Sequence, residues 1–176
     1  LGSPIFYFYP PGAYMVSGRL MAVIPGLTAA GAVGAACTLF RVLSMLTATA
    51  WLRCHLNWGA AVTGGALYAL MPYVAYVNPQ VRLAAGETAA GALLPLLFLA
   101  IDLGAGRMSR TALILGPAMA ALALTHLPTT VLAGGLAVTY AAFSADTQRT
   151  ALCRAGATIG GLALGLAMAG FTVVPA

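Results

Sequence analysis

A chain of 176 residues that is 61% hydrophobic and only 6% charged, with a mean hydropathy of +0.96, lies far from soluble domains, of which roughly a quarter is charged. A water-soluble globular fold is excluded, and an all-α, polytopic transmembrane helix bundle is expected. The formal charge of +5 comes from eight arginines and no lysine, set singly or in pairs between apolar runs. That pattern marks membrane topology, not a nucleic-acid interface.

Leu1–Tyr9 is too short to span, and its clustered Phe6, Tyr7, Phe8 and Tyr9 suit the membrane–water interface. Pro10-Pro11-Gly12 breaks regular structure. Ala13–Ile24 then reads as an interfacial helix carrying Arg19, closed by Pro25-Gly26. Leu27–Leu52 is the first crossing. Arg41 lies inside it, where an unpaired guanidinium costs at least ~2.5 kcal/mol, so it is expected to face the bundle interior; alternatively the register slides and Ala13–Phe40 crosses. Trp58 to about Tyr76 is the second crossing, with Trp58, Tyr73 and Tyr76 as aromatic anchors.

Asn78-Pro79 is a turn-initiating pair and opens a polar loop that runs to Gly86. Glu87–Leu103 forms the third crossing, followed by a short loop with Arg107 and Arg110. Thr111–Thr125 and Leu127–Phe143 form a helical pair broken at His126-Leu127-Pro128, each half long enough only for a thinned or tilted path. A polar turn, Ser144–Arg154, leads to a final crossing over Ala155–Val174. The expectation is about six crossings plus an interfacial N-terminal helix, a single bundle over residues 1–176. The chain starts at Leu1 with no signal peptide ahead of it, and it reads as a fragment of a longer protein.

Five arginines, Arg53, Arg107, Arg110, Arg149 and Arg154, fall on one face, and only Arg19 and Arg82 on the other. By the positive-inside rule the first face is cytoplasmic. Asp102 and Asp146 then read as cytoplasmic loop charges beside Arg107 and Arg149, while the aromatic N-terminal segment, the loop before Glu87 and the His126 turn lie together outside. Gly156-x-x-x-Gly160 and Gly161-x-x-x-Gly165 in the last helix have the spacing that lets backbones approach closely.

Glu87 is the only acid away from the cytoplasmic face. It serves either as a carboxylate satisfied by Arg82 at a helix N-terminus, where the dipole favours negative charge, or as a group that orients a polar substrate. His126 is either a turn residue bonded to freed backbone groups or a ligand contact on the same side. Arg82 and Arg19 either anchor at headgroups or bind a lipid phosphate with their forked donors; phosphate is favoured for Arg82, anchoring for Arg19. The aromatics around Tyr9 are an interface belt or a sugar platform. Cys37, Cys54 and Cys153 form neither a disulfide framework nor a metal ligand set. HExxH, CxxC, GxxxxGK[ST] and the serine nucleophile elbow are all missing, which leaves no support for a hydrolase, redox or nucleotide-motor function.

The order Tyr9-Pro10-Pro11, Pro72-Tyr73, Arg82 and Glu87 five apart, Pro95, then His126 resembles the bacterial GT-C-type membrane glycosyltransferase superfamily. It is most similar to the branch of membrane proteins related to 6-pyruvoyl-tetrahydropterin synthase. Two positions depart from the pattern: Leu83 stands where a glycine follows the arginine in the family, and Asn78-Pro79-Gln80 replaces a more aromatic approach.

The resemblance implies a multi-pass protein of the bacterial inner (plasma) membrane that moves a sugar from a polyprenyl-phosphate donor to an extracytoplasmic glycan or lipid acceptor. The only cofactor it implies is that lipid-linked donor, with the metal requirement open. Arg82 would face the leaving phosphate, supported by Tyr9, Tyr73 and Arg19 as substrate contacts, with Glu87 and His126 in supporting catalytic roles. The main acid of the family lies in the first outer loop, which here would precede Leu1. Two other classes stay open: a non-catalytic membrane scaffold subunit, and a lipid or solute transporter or flippase.

Overall fold

A computed structural model describes residues 11–81, 84–104 and 107–170 as helices joined by short turns, with no strand among the described residues. The elements are α1 (Gly12–Val23), α2 (Ala29–Leu52), α3 (Trp58–Leu70), a π-helical segment (Tyr73–Val81), α4 (Ala85–Gly104), α5 (Met108–Ala123), α6 (Leu127–Phe143) and α7 (Gln148–Met168). Several starts are capped by the side chain expected to stop an orphan N–H from going unpaired. Thr28 accepts from Gly31, Asn57 from Ala60 and Thr147 from Thr150.

Four stretches are long and apolar enough to cross a membrane: Ala29–Leu52, Trp58–Val81, Ala85–Gly104 and Gln148–Met168. The expected count of about six is therefore not reached on length, because α5 and α6 are short apolar helices of 16 and 17 residues. The expected loop from Asn78 is also corrected. Helical winding continues through Asn78-Pro79 as a π-helix to Val81, because Asn78 is buried and its carbonyl accepts the Ala84 N–H at 2.8 Å. The expected turn from Ser144 to Arg154 shrinks as well: α7 starts at Gln148 on the Thr147 cap, so Arg149 and Arg154 are helical.

α4 is the central helix. Its Ala85, Ala89 and Ala92 pack with Ala13 of α1 and Ala36, Cys37 and Phe40 of α2. Its Ala90, Leu97, Ala100 and Ile101 join a second core with Leu115, Met119 and Leu122 of α5, Ala133, Ala137 and Ala141 of α6 and Leu162 of α7. Pro95 interrupts the α4 ladder, since proline has no N–H to give the carbonyl four residues back. That carbonyl, Gly91 O, is taken by the Tyr68 hydroxyl at 2.7 Å, and the neighbouring Ala92 O accepts from Thr47 at 2.8 Å.

Small residues set the closest approaches, as in membrane bundles generally. A Cβ on Gly165 would lie 2.5 Å from Gly116 O, and one on Gly161 would lie 3.0 Å from the Leu115 side chain. Gly156 and Gly160 meet nothing within 4 Å. Only the second of the two glycine pairs in α7 serves the bundle's own packing.

Candidate functional site

The first turn of α4 is pressed against the turn between α5 and α6. A Cβ on Gly86 would stand 2.5 Å from Thr125 O, and the Gly12 N–H at the start of α1 donates to Leu124 O at 2.6 Å. Glycine at both places lets two helix starts reach the same turn. This brings Glu87, in the first turn of α4, to His126, the cap of α6.

His126 Nδ1 lies 2.7 Å from the Thr129 hydroxyl and accepts the Thr129 N–H at 3.4 Å. With Nδ1 accepting, the hydrogen-bond network places the ring proton on Nε2. Nε2 stands 3.8 Å from Glu87 Oε1, while the Tyr73 hydroxyl donates to Glu87 Oε2 at 3.2 Å. The Glu87 and His126 side chains keep 17% and 25% of their exposure. They are sheltered yet reachable from one end of the bundle. A carboxylate, an imidazole N–H and a phenol around one opening can orient a hydroxyl or an anionic oxygen and move a proton between them.

Three of the residues expected to share a site, Glu87, His126 and Tyr73, are thus together. Arg19 is exposed on α1 and makes no hydrogen bond or ion pair with them. Arg82 and Tyr9 lie outside the described residues. Among the described residues no group of three or more His, Cys, Asp or Glu side chains is placed to hold a metal ion.

A second cluster lies at the opposite, arginine-rich end, and it corrects the reading of Asp102 as a loop charge beside Arg107. Asp102 is in the last turn of α4, where the helix dipole disfavours an anion, and three groups offset that. Tyr140 of α6 donates to Oδ2 at 2.7 Å, His55 Nε2 lies 2.9 Å from the same oxygen, and Arg154 of α7 donates to Oδ1 at 3.3 Å. Trp51 Nε1 donates to the Tyr140 hydroxyl at 3.3 Å, and the Trp51, Phe98 and Tyr140 rings stack edge to face or tilted, with centroids 5.0–5.9 Å apart.

Asp102 and Arg154 are largely covered while His55 is about half exposed. The cluster ties α2 and its following turn, α4, α6 and α7 at one point. Sequence reasoning missed it, although one signal was present. His55, Asp102, Tyr140 and Arg154 all flank apolar runs on the side that carries most arginines. Asp146 fits its expected place, exposed in the turn between α6 and α7.

Comparison of the chain with protein-family models, with curated proteins and with solved structures finds no match.

Proposed function

We propose that this chain forms the membrane bundle of a GT-C-like glycosyltransferase of the bacterial inner membrane, which transfers a sugar from a polyprenyl-phosphate donor to an extracytoplasmic acceptor. The observation that carries the reading is the meeting of Glu87, His126 and Tyr73, from three separate elements, at the end opposite the arginine-rich one. Six crossings accommodate it. α5 and α6 run between the same two polar ends as α4, whose acids Glu87 and Asp102 are fifteen residues, or about 22 Å, apart.

In this reading Arg82 faces the phosphate on which negative charge develops as the sugar departs. Glu87 holds the acceptor hydroxyl or Arg82 itself. His126, with its proton on Nε2, donates to a phosphate or sugar oxygen, and Tyr73 fixes the carboxylate. In the full-length protein, which would supply the main acid expected ahead of Leu1, Arg82→Ala and Glu87→Gln are each expected to lower sugar transfer or polyprenyl-phosphate binding at least tenfold, measured on folded protein with a panel of polyprenyl-phosphate sugars, whereas this chain alone is expected to show no transfer. Unchanged transfer in folded variants would reduce the group to a helix cap.

One observation favours a second reading, transport. The stretch Trp58–Val81 is discontinuous, an α-helix that gives way to a π-helix next to Tyr73 and Glu87, and broken helices line the substrate paths of many transporters. Solute counterflow in sealed vesicles, lost on Glu87→Gln and without any sugar transfer, would select it.

A further inference from the structure

Arg41 sits near the middle of α2, twelve residues from Ala29 and eleven from Leu52. Its guanidinium makes no hydrogen bond or ion pair with any described residue, and its Nε is buried without a partner. No acid of the chain is left to neutralise it. Asp102 is held by His55 and Arg154, Glu87 stands with His126 and Tyr73, and Asp146 is exposed in the turn between α6 and α7.

Arg41 lines a groove of about 310 Å³ between α2 and α3, together with Thr38, Val42, Met45, Ala66, Ala69 and Leu70. Thr38 donates its hydroxyl proton to Gly34 O, so recognition of an anion there falls to Arg41. The groove opens sideways where Val42 and Leu70 are exposed, on two stretches apolar enough to be in a membrane. Its occupant therefore needs one anionic group and an apolar tail.

Height favours the leaflet on the Glu87 side. Phe40, next to Arg41, belongs to the same buried cluster as Ala85, Ala89 and Ala92 of α4's N-terminal half, which sets Arg41 nearer the Glu87 end of the bundle than the Asp102 end. A long arginine stem lets the guanidinium snorkel toward the headgroups of that leaflet. Met45 and Ala66 continue the groove toward the bundle's other end, the direction a tail would take.

We propose that Arg41 and its groove bind the phosphate and upper acyl chain of an anionic phospholipid from that leaflet. The site is separate from the one formed by Glu87 and His126, so its failure would leave the transferase reading untouched. The test is native mass spectrometry of the full chain after reconstitution in vesicles of equal phosphatidylglycerol and phosphatidylcholine. Wild type is expected to retain phosphatidylglycerol over phosphatidylcholine by more than tenfold. Arg41→Leu should lose that preference, and Ala66→Phe, which fills the groove and keeps the charge, should lose it too, while Arg149→Gln should keep it.

Wild-type retention by either folded groove variant would overturn the proposal. Equal loss in Arg149→Gln would replace it with diffuse surface electrostatics. Displacement of the lipid by millimolar inorganic phosphate would overturn it in favour of a free-anion site, and co-purification of an acidic membrane protein on Arg41 would do so in favour of a partner chain.

Discussion

Asp102 illustrates how a single carboxylate is kept at an unfavourable place. At the C-terminal end of α4 the dipole costs it typically ~0.3–1 kcal/mol, and the bonds from Tyr140, His55 and Arg154 offset this. Asp102→Asn leaves the largely covered Arg154 without its counter-charge and is expected to destabilise the bundle by about 1–3 kcal/mol, read as a lower midpoint in thermal or SDS unfolding. The same carboxylate reaches Cys54. Burial pushes the Cys54 thiol above its ordinary range, Asp102 adds in the same direction, and Arg53 pulls it back. Only the thiolate is alkylated. Asp102→Asn should therefore shift the pH profile of Cys54 alkylation to lower pH and raise its rate at neutral pH several-fold, and Arg53→Gln should shift it the other way. Parallel shifts in both variants would show that local unfolding, not charge, governs the thiol.

At the scale of the element, α4 and α7 show how much a helix depends on what stands beside it. Pro95 would leave Gly91 O unpaired in an apolar environment, and Tyr68 supplies the missing donor. Tyr68→Phe should cost about 1 kcal/mol, a loss absent in a background where Pro95 is replaced by alanine and the helix satisfies its own carbonyl. In α7 the two glycine pairs are expected to respond oppositely. Gly165→Ala forces a Cβ to within 2.5 Å of Gly116 O and 2.6 Å of Met119 Cβ, and overpacking of this kind costs typically ~1–3 kcal/mol. Gly160→Ala meets open space and should leave stability within about 0.5 kcal/mol of wild type or improve it, since alanine is the better helix former. Equal sensitivity at both sites in detergent would show that the Gly160 face is also in contact.

For the molecule as a whole, the helices collect polar groups at two opposite ends. Glu87, His126 and Tyr73 lie at one, and Asp102, His55, Tyr140 and Arg154 at the other, with apolar cores between. By the positive-inside rule, the five-to-two asymmetry of arginines predicts that the Asp102 end faces the cytoplasm. In a cysteine-free background, a cysteine at the exposed Gln80 should react with an impermeant maleimide from outside, and one at the exposed Ser109 only after permeabilisation. Reaction of both from one side would overturn the orientation.

What the sequence by itself determined was the class and the grain of the fold. Apolar composition with isolated arginines points to a membrane protein, and apolar runs of about 20 residues select helices, each of which pairs its own backbone groups in lipid. The long apolar runs placed α2, α4 and α6 and the start of α3 within a few residues. Glu87 and His126 were legible as lying on the same side because few ionisable groups exist and both fall on one side of the arginine count, although the partner expected for Glu87 was Arg82. Their 3.8 Å approach was not, for it depends on Gly12 and Gly86 letting two helix starts close on one turn.

Only the tertiary structure decided the rest. Asn78-Pro79 reads locally as a turn, yet burial of Asn78 and the Ala84 N–H on its carbonyl keep the winding helical. Asp102 reads as a loop charge until the last turn of α4 holds it and partners 38, 47 and 52 residues away in sequence arrive. Hydrophobic pattern and capping are properties of neighbours along the chain and can be read there. Which polar groups meet depends on how helices pack, and that is set by contacts between residues distant in sequence.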